Sequence, residues 1–397
     1  MGSVEASLTS QKDTRGPVLV IGAGPAGLAT SHELARNGVP HLVVERGRHV
    51  GQTWADLYDS LVLHTARGLS TLPGLAFPRE TPIFPSRREF WQYLSRYAET
   101  FKLPVQTSTD IVALGRDNGG WLARTASGET LSARAVVVAT GIVANPFVPE
   151  IPYQDRFGGR VFHSVHYHRP DDLADRRVLV VGAGNSAGEI AVELARAGAK
   201  VALAVRTGGA VLPRDIAGIP MHYLAVGLSF LPKASQRAAM TLANRIQMVA
   251  RGPGVLPPPA PTRCPKIPLI GFHLVDAIRE GTIQIRGRLK EFTPDGVRFG
   301  DDASEAFDAV ILATGYRAAV GMLHGSIRLD DCGFGLRRDR VVSVDQPDLY
   351  FVGHNYDIRG GLFNIGRDAK RAVKRIIATT RDTSRTATEI SRPASER

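Results

Sequence analysis

Two glycine-rich stretches hold the residues best placed for chemistry. Gly22-Ala23-Gly24-Pro25-Ala26-Gly27 follows the apolar run Pro17–Ile21, and Gly182-Ala183-Gly184-Asn185-Ser186-Ala187 follows Arg177–Val181. Each opens a helix-forming stretch. In a strand–turn–helix unit the first glycine allows the tight turn and the second lets a pyrophosphate approach the backbone. The third lets helix pack on strand, and the helix N-terminus offers N–H donors to the phosphates. The ends of the next strands differ. His41–Val44 ends in Glu45, with Arg46 beside it, and an acid about twenty residues after the turn suits the hydroxyls of an adenosine ribose. Lys200–Val205 ends in Arg206-Thr207, and a planar guanidinium suits a 2′-phosphate that an acid would repel. The first site is therefore expected to take FAD or NAD for the long term, and the second NADPH as reductant.

The elements that must position these turns read as an α/β fold. Apolar runs such as Ala135–Ala139 and Ala309–Ala313 have the composition of strands buried on both faces, and each ends in Ala-Thr-Gly, at Thr140-Gly141 and Thr314-Gly315. Phe90, Leu94, Tyr97 and Phe101 recur at helical spacing over 87–101. Further helices are expected over 232–251, with Leu242, Ile246 and Val249 on one side, over 272–280 and over 362–379. At 397 residues the chain suggests two domains. The expected division is a disordered tail 1–15, a first nucleotide domain 16–165, an inserted second one 166–307, a return to the first over 308–380, and a disordered tail 381–397.

The totals exclude several classes. The formal charge of +11 is spread along the chain instead of gathered in a stripe, so nucleic acid is not the expected partner. No apolar run is long enough to span a bilayer. Cys264 and Cys332 are the only cysteines, far apart and without metal-ligand spacing. No disulfide framework and no metal are expected, and a reducing cytoplasm is the natural compartment.

Between the two fingerprints lies Arg156 to Tyr167, with Phe157, Gly159, His163 and Tyr167 spaced as Phe-x-Gly-x-x-x-His-x-x-x-Tyr. With both fingerprints in order, this resembles the flavin-containing monooxygenases, a group of class B flavin monooxygenases, over about residues 16–380. Leu63-His64, Phe84-Pro85 before Glu89-Phe90, and Arg359-Gly360-Gly361-Leu362 to Asp368-Ala369-Lys370-Arg371 are similar to the YUCCA branch and its bacterial relatives. Ala187 departs from that branch, where a Gly is usual, and 211–263 is not a close match.

The resemblance implies two Rossmann-like domains, the NADPH domain inserted into the FAD domain. It also implies FAD, NADPH, O₂, a small-molecule substrate and a flavin C4a-hydroperoxide that must be shielded from water. Expected cofactor contacts are the fingerprint residues, Glu45, Arg46, Gln52, Thr53, Trp54, His64, Thr140, Gly141, Arg206, Thr207, Thr314, Gly315, Gly361 and Leu362. By spacing alone Gly51 to Trp54 is a turn with a packed Trp. No residue is assigned as catalytic acid or base. His163 and Tyr167 stand as the linker signature, with His163 expected to bond the linker backbone or bound NADP, and Asn364 as a further catalytic candidate. The branch converts indole-3-pyruvate to indole-3-acetate. N- or S-oxygenation of amines or sulfides is the alternative, as is a two-dinucleotide reductase, for which a CxxC is lacking. A homodimer is compatible with all three.

Overall fold

The structure, a computed structural model, describes residues 16–390 apart from 118, 240, 243–252, 259–263, 265–266 and 357–358. The expected tail 1–15, together with Ile246 and Val249, lies outside the described residues. Strand β1 (Val18–Ile21) leads into helix α1 (Pro25–Arg36) and strand β2 (His41–Val44). Helix α2 (Arg87–Thr100) starts at a capping box. The Ser86 hydroxyl accepts from Glu89 N at 3.3 Å, and the Glu89 carboxylate accepts from Ser86 N at 2.7 Å. That pairing fixes where the helix begins. Strand β3 (Ala135–Val138) then completes a parallel core with β1 and β2.

Strand β4 (Arg160–His163), strand β5 (Arg177–Val181), helix α3 (Asn185–Arg196) and strand β6 (Lys200–Ala204) follow. Then come strand β7 (Ile283–Arg286), strand β8 (Ala309–Leu312), strand β9 (Leu349–Phe351) and helix α4 (Gly361–Ile390). Two parallel-cored sheets result. The first runs Arg337–Arg338, Val342–Ser343, β9, β3, β1, β2, Val105–Gln106, and the second runs β7, β6, β5, β8, β4. Each has a three-stranded antiparallel meander beside it, Ile111–Ala133 for the first and Leu289–Ala306 for the second.

Each sheet is buried on both faces, as the continuous apolar strands require. Leu28, Leu34, Phe90, Tyr97, Ala369 and Val373 fill one face of the first sheet, and Leu114, Trp121 and Ala123 the other. In the second, Ile190 and Leu194 of α3 pack on one face, and Phe157, Phe292 and Phe299 on the other.

Four expectations are corrected. Ala309–Leu312 does not rejoin the first sheet at 308: β8 pairs in parallel with β5 and β4, so the chain returns only after Leu312. The crossing out of the first sheet comes earlier than 165, since β4 already belongs to the second. The first shift arises because an Ala-Thr-Gly ending is local and does not specify which sheet the strand enters; the second arises because the four residues Arg160–His163 of the linker themselves form the edge strand beside β8. The chain after Arg381 is helical to Ile390, because no Gly or Pro interrupts 367–390 and α4 simply continues. Residues 391–397 lie outside the described residues. Finally, Cys264 and Cys332 form a disulfide across a sequence separation of 68. Cys264 is bonded to Cys332 in the 330–333 turn, a proximity that sequence spacing does not encode. The cysteine argument for a reducing compartment falls with it. Among the described residues no helix is long and apolar enough to cross a membrane.

Candidate functional site: two dinucleotide turns and the seam between them

The first turn is built by close contact. Gly22 has φ +103°, and a Cβ there would lie 2.8 Å from the Ala139 carbonyl oxygen. A Cβ on Gly27 would overlap the Gly22 carbonyl oxygen, so α1 reaches the turn only because residue 27 has no side chain. Around Gly24, by contrast, a Cβ would meet no atom within 4 Å. Gly24 is the N-cap of α1 with no side-chain cap, and Pro25 follows in the first turn. The open space and uncapped N–H groups fit a pyrophosphate. Ala26 is buried against Gly353. Glu45 accepts from Ala23 N and Gly47 N, both at 2.8 Å, which fixes its carboxylate beside the turn with lone pairs to spare. Arg46 is exposed.

The second turn repeats this. Gly182 has φ +132° and stands against Ala313, Gly184 is open and uncapped, and Ala187 is fully buried where the first turn has Gly27. Asn185 spends its side chain on the scaffold, donating to Pro268 O at 3.0 Å and accepting from Ile270 N at 2.8 Å. Ser186 follows in the first turn of α3.

The hydrogen bonds sharpen the charge comparison. Gly22 N donates to Val44 O and Gly182 N to Ala204 O, so the position equivalent to Glu45 is Val205. Val205 is buried, and Arg206 lies one residue further on, exposed, with no ion-pair partner among the described residues. The acid is thus replaced by an apolar side chain and the cation sits just outside it. Thr207 is half-buried beside it.

The linker signature joins the two units. Phe157 packs on Phe292, with ring centroids 5.4 Å apart. A Cβ on Gly159 would lie 2.7 Å from Asp308 O, which explains the glycine. His163 Nε2 contacts Gly315 O at 3.1 Å while its Nδ1 accepts from Val165 N at 3.1 Å. With Nδ1 an acceptor from the linker's own Val165 N, Nε2 carries the proton and donates to Gly315 O just after β8. Thr314 donates to Phe147 O and Thr140 to Ala319 O at 2.7 Å, so both Ala-Thr-Gly endings are stitched into the crossing segments. Gly141, at φ +66°, makes the turn after Thr140.

Tyr167 is buried and donates to Glu193 Oε2 at 3.0 Å. Ser60 of the first unit donates to the same oxygen at 2.9 Å. One helical turn earlier, Tyr58 donates to Glu189, and His64 Nε2 lies 3.3 Å from Glu189 Oε1. The loop 58–64 is therefore fastened to α3 by two carboxylates. Sequence reading missed Tyr58, Glu189 and Glu193, whose only trace was a pair of acids four apart on a helix with an otherwise apolar face.

Burial dominates the electrostatics of this seam. It pulls His64 down to about 4, assisted by Arg214, His222 and His273 nearby. It pushes Glu189 up to about 7, against the opposing pull of the Tyr58 hydrogen bond. At neutral pH the His64–Glu189 contact therefore involves an uncharged imidazole and is not a full ion pair. Glu189 titrates near 4.5 in the unfolded chain and near 7 folded. Between those values the unfolded state sheds a proton that the folded state keeps, so stability falls as pH rises. Glu189→Gln removes that slope. Its melting temperature relative to wild type is expected to climb from about pH 5 to about pH 7 and to level off above. A pH-independent difference would reject the assignment.

The remaining expected contacts lie along the first unit. Gln52 and Thr53 open the short helix Gln52–Ala55, Gln52 bonding His49 N and Asp56, and Trp54 packs edge-on against Phe90. Gly361 begins α4 against Tyr356, and Leu362 packs on the first core. Asn364 is buried, donates to Asn355 O at 3.2 Å, and its Oδ1 has no partner among the described residues.

Two Rossmann-like turns, one beside an acid and the other beside an apolar residue, joined by a bonded linker, fit a two-dinucleotide oxidoreductase. A family profile described as "Pyridine nucleotide-disulphide oxidoreductase" matches residues 19–212. The chain is 35% identical over 389 residues to rice (Oryza sativa subsp. japonica) "Indole-3-pyruvate monooxygenase YUCCA1", covering 94% of each chain. It is 31% identical to an "Uncharacterized oxidoreductase CzcO-like" of Geobacillus kaustophilus, covering 91% of this chain and 98% of that one. The solved flavin-containing monooxygenase of Stenotrophomonas maltophilia superposes with a TM-score of 0.73 at 25% identity, over 92% of this chain and 98% of that one. The chain belongs to the flavin monooxygenase family, within the group that includes the YUCCA enzymes.

Proposed function

We propose that the chain is an FAD- and NADPH-dependent monooxygenase that oxidatively decarboxylates an aromatic 2-oxo acid, with indole-3-pyruvate the first compound to test. The observation that carries the cofactor reading is the contrast between Glu45, fixed beside the first turn, and the unpaired Arg206 beyond the second. The substrate reading is supported by the rice relative's name and the near full-length match to it. On this reading the first unit holds FAD and the second NADPH. Bound there, the two cofactors supply oxygen activation and the electrons. The chain's own part is to seat both pyrophosphates on uncapped helix N-termini, hold the units together through Tyr58, Ser60 and Tyr167, and exclude water by burying the side chains of the seam.

The reaction balances as follows. One oxygen atom enters the 2-oxo acid as the carboxyl carbon leaves as CO₂, the other leaves as water, and NADPH supplies two electrons. With indole-3-pyruvate, NADPH consumed is expected to match indole-3-acetate formed, with little H₂O₂. NADPH oxidation at one rate with or without the 2-oxo acid, all electrons ending in H₂O₂, would overturn the reading. Parallel assays with a simple amine and a sulfide test the N- or S-oxygenating alternative.

A further inference from the structure

One cluster in the seam has more polar nitrogen than its neighbours can satisfy. Arg214 follows Val211–Leu212, a short strand paired with Leu269–Ile270. Its backbone oxygen accepts from Met221 N at 3.0 Å, which brings the start of helix Met221–Leu228, and with it His222, beside it. The guanidinium lies over Phe84 of the first unit, 4.0 Å from the ring centroid. A Cβ on Gly360, just before α4, would lie 3.7 Å from His222 Cδ2 and 3.2 Å from Thr65 Oγ1. Loops of both units and the start of α4 thus converge on Arg214, His222 and, through Leu269–Ile270, His273.

Three buried nitrogens here have no hydrogen-bond partner among the described residues: Arg214 Nε, His222 Nδ1 and His273 Nε2. Orphaned buried donors are uncommon and call for a ligand or a cost. Arg214 has no carboxylate within ion-pair distance among the described residues, and the nearby Glu189 is occupied by Tyr58 and His64. Stacking on Phe84 covers a face of the guanidinium without using its in-plane donors, the edge with which an arginine grips a carboxylate.

We propose that Arg214, assisted by His222, is the carboxylate anchor of the substrate site, so that this seam selects aromatic acids over neutral aryl compounds. The inference deepens the 2-oxo acid reading above and rests on it for the identity of the acid. A carboxylate fits better than a phosphate dianion. The three histidines His64, His222 and His273 are pulled down by burial and bring no charge at neutral pH, whereas Arg214, although burial lowers it too, remains a cation. One cation on an aromatic floor matches one negative charge on an aryl chain, and the exposed Arg206 is the better partner for a 2′-phosphate.

The test is binding to the flavin-loaded enzyme, followed by perturbation of flavin absorbance, with indole-3-acetate and its neutral isostere indole-3-acetamide as probes. Arg214→Met is expected to weaken indole-3-acetate by about 30-fold or more, the scale of a lost charge-assisted hydrogen bond. Indole-3-acetamide and NADPH should change by no more than about threefold, within the context scatter of a neutral contact. Arg214→Lys keeps the charge without the fork and should fall between. Equal losses for acid and amide would make Arg214 a packing residue and overturn the proposal. A selective loss of NADPH would make it a phosphate ligand and overturn it equally, as would a wild type that binds the acid no better than the amide. Should Arg214→Met fail to fold, Arg214→Lys and Arg214→Gln carry the same acid-against-amide comparison. If the acid binds through Arg214 while indole-3-pyruvate is not turned over, the anion site stands and the decarboxylation reading alone falls.

Discussion

Gly27→Ala is expected to give a protein that purifies almost free of flavin. The added methyl would overlap the Gly22 carbonyl oxygen, a backbone atom that cannot rotate away. Relief requires α1 to move off β1, and the same helix is packed on its far side, where Gly353 abuts Ala26. Overpacking of this kind costs about 1–3 kcal/mol in cores that can adjust by side-chain motion. Here the displaced element is the pyrophosphate cradle itself. Flavin absorbance per mole of protein should fall about tenfold or more, the equivalent of about 1.4 kcal/mol. Gly24→Ala is the informative contrast. Its Cβ meets nothing in the protein and its φ is −78°, so the fold should be unaffected and the loss should appear only as weaker flavin binding. Gly27→Ala that retains full flavin would show that α1 tolerates the shift and that the turn does not hold the cofactor in the manner described.

Arg206→Ala is expected to weaken NADPH by about 100-fold and NADH by less than about threefold, because a charge-assisted pair with the 2′-phosphate contributes about 1.5–3 kcal/mol and is absent for NADH. The geometry makes the expectation specific. Val205, not Arg206, occupies the place that Glu45 holds in the first unit, so the ribose edge of the second site has no acid to repel a phosphate and one unpaired cation just beyond it. Val205→Glu is the mirror test: it should shift preference toward NADH with Arg206 intact. Equal losses of both nucleotides in Arg206→Ala, measured by the rate of anaerobic flavin reduction against nucleotide concentration, would remove the 2′-phosphate assignment.

The local units were legible because each carries its own signal. Strand, glycine turn and helix succeed one another within a few residues at Val18–Arg36 and again at Arg177–Arg196, and both formed where the residues indicated. His163 bonds Val165 N within the linker and Gly315 O beyond β8, the second a contact across 152 residues that the linker's own sequence does not announce. What escaped was long-range. The contact Tyr58–Glu189 spans 131 residues, and nothing in either neighbourhood announces the other. Strand β8 carries the same Ala-Thr-Gly ending as β3 yet enters the other sheet, since a buried parallel strand reads alike wherever it pairs. Cys264 and Cys332 meet across 68 residues, a proximity that neither cysteine's neighbourhood announces. The Ser-, Thr- and Arg-rich end after Arg381 looked unstructured by composition, yet it continues a helix that earlier core contacts had already nucleated.

The fastening of loop 58–64 to α3 has a thermodynamic consequence. On the proposed reading the same helix would offer its first turn to one nucleotide, and its second and third turns hold, through Glu189 and Glu193, the loop that carries His64. Any free energy that nucleotide binding spends on shifting α3 is therefore shared with that loop, and by reciprocity the loop's own order feeds back on nucleotide affinity by the same factor. On the proposed reading, Ser60, bonded to Glu193 and not to either glycine turn, would then carry part of the coupling between nucleotide occupancy and the loop.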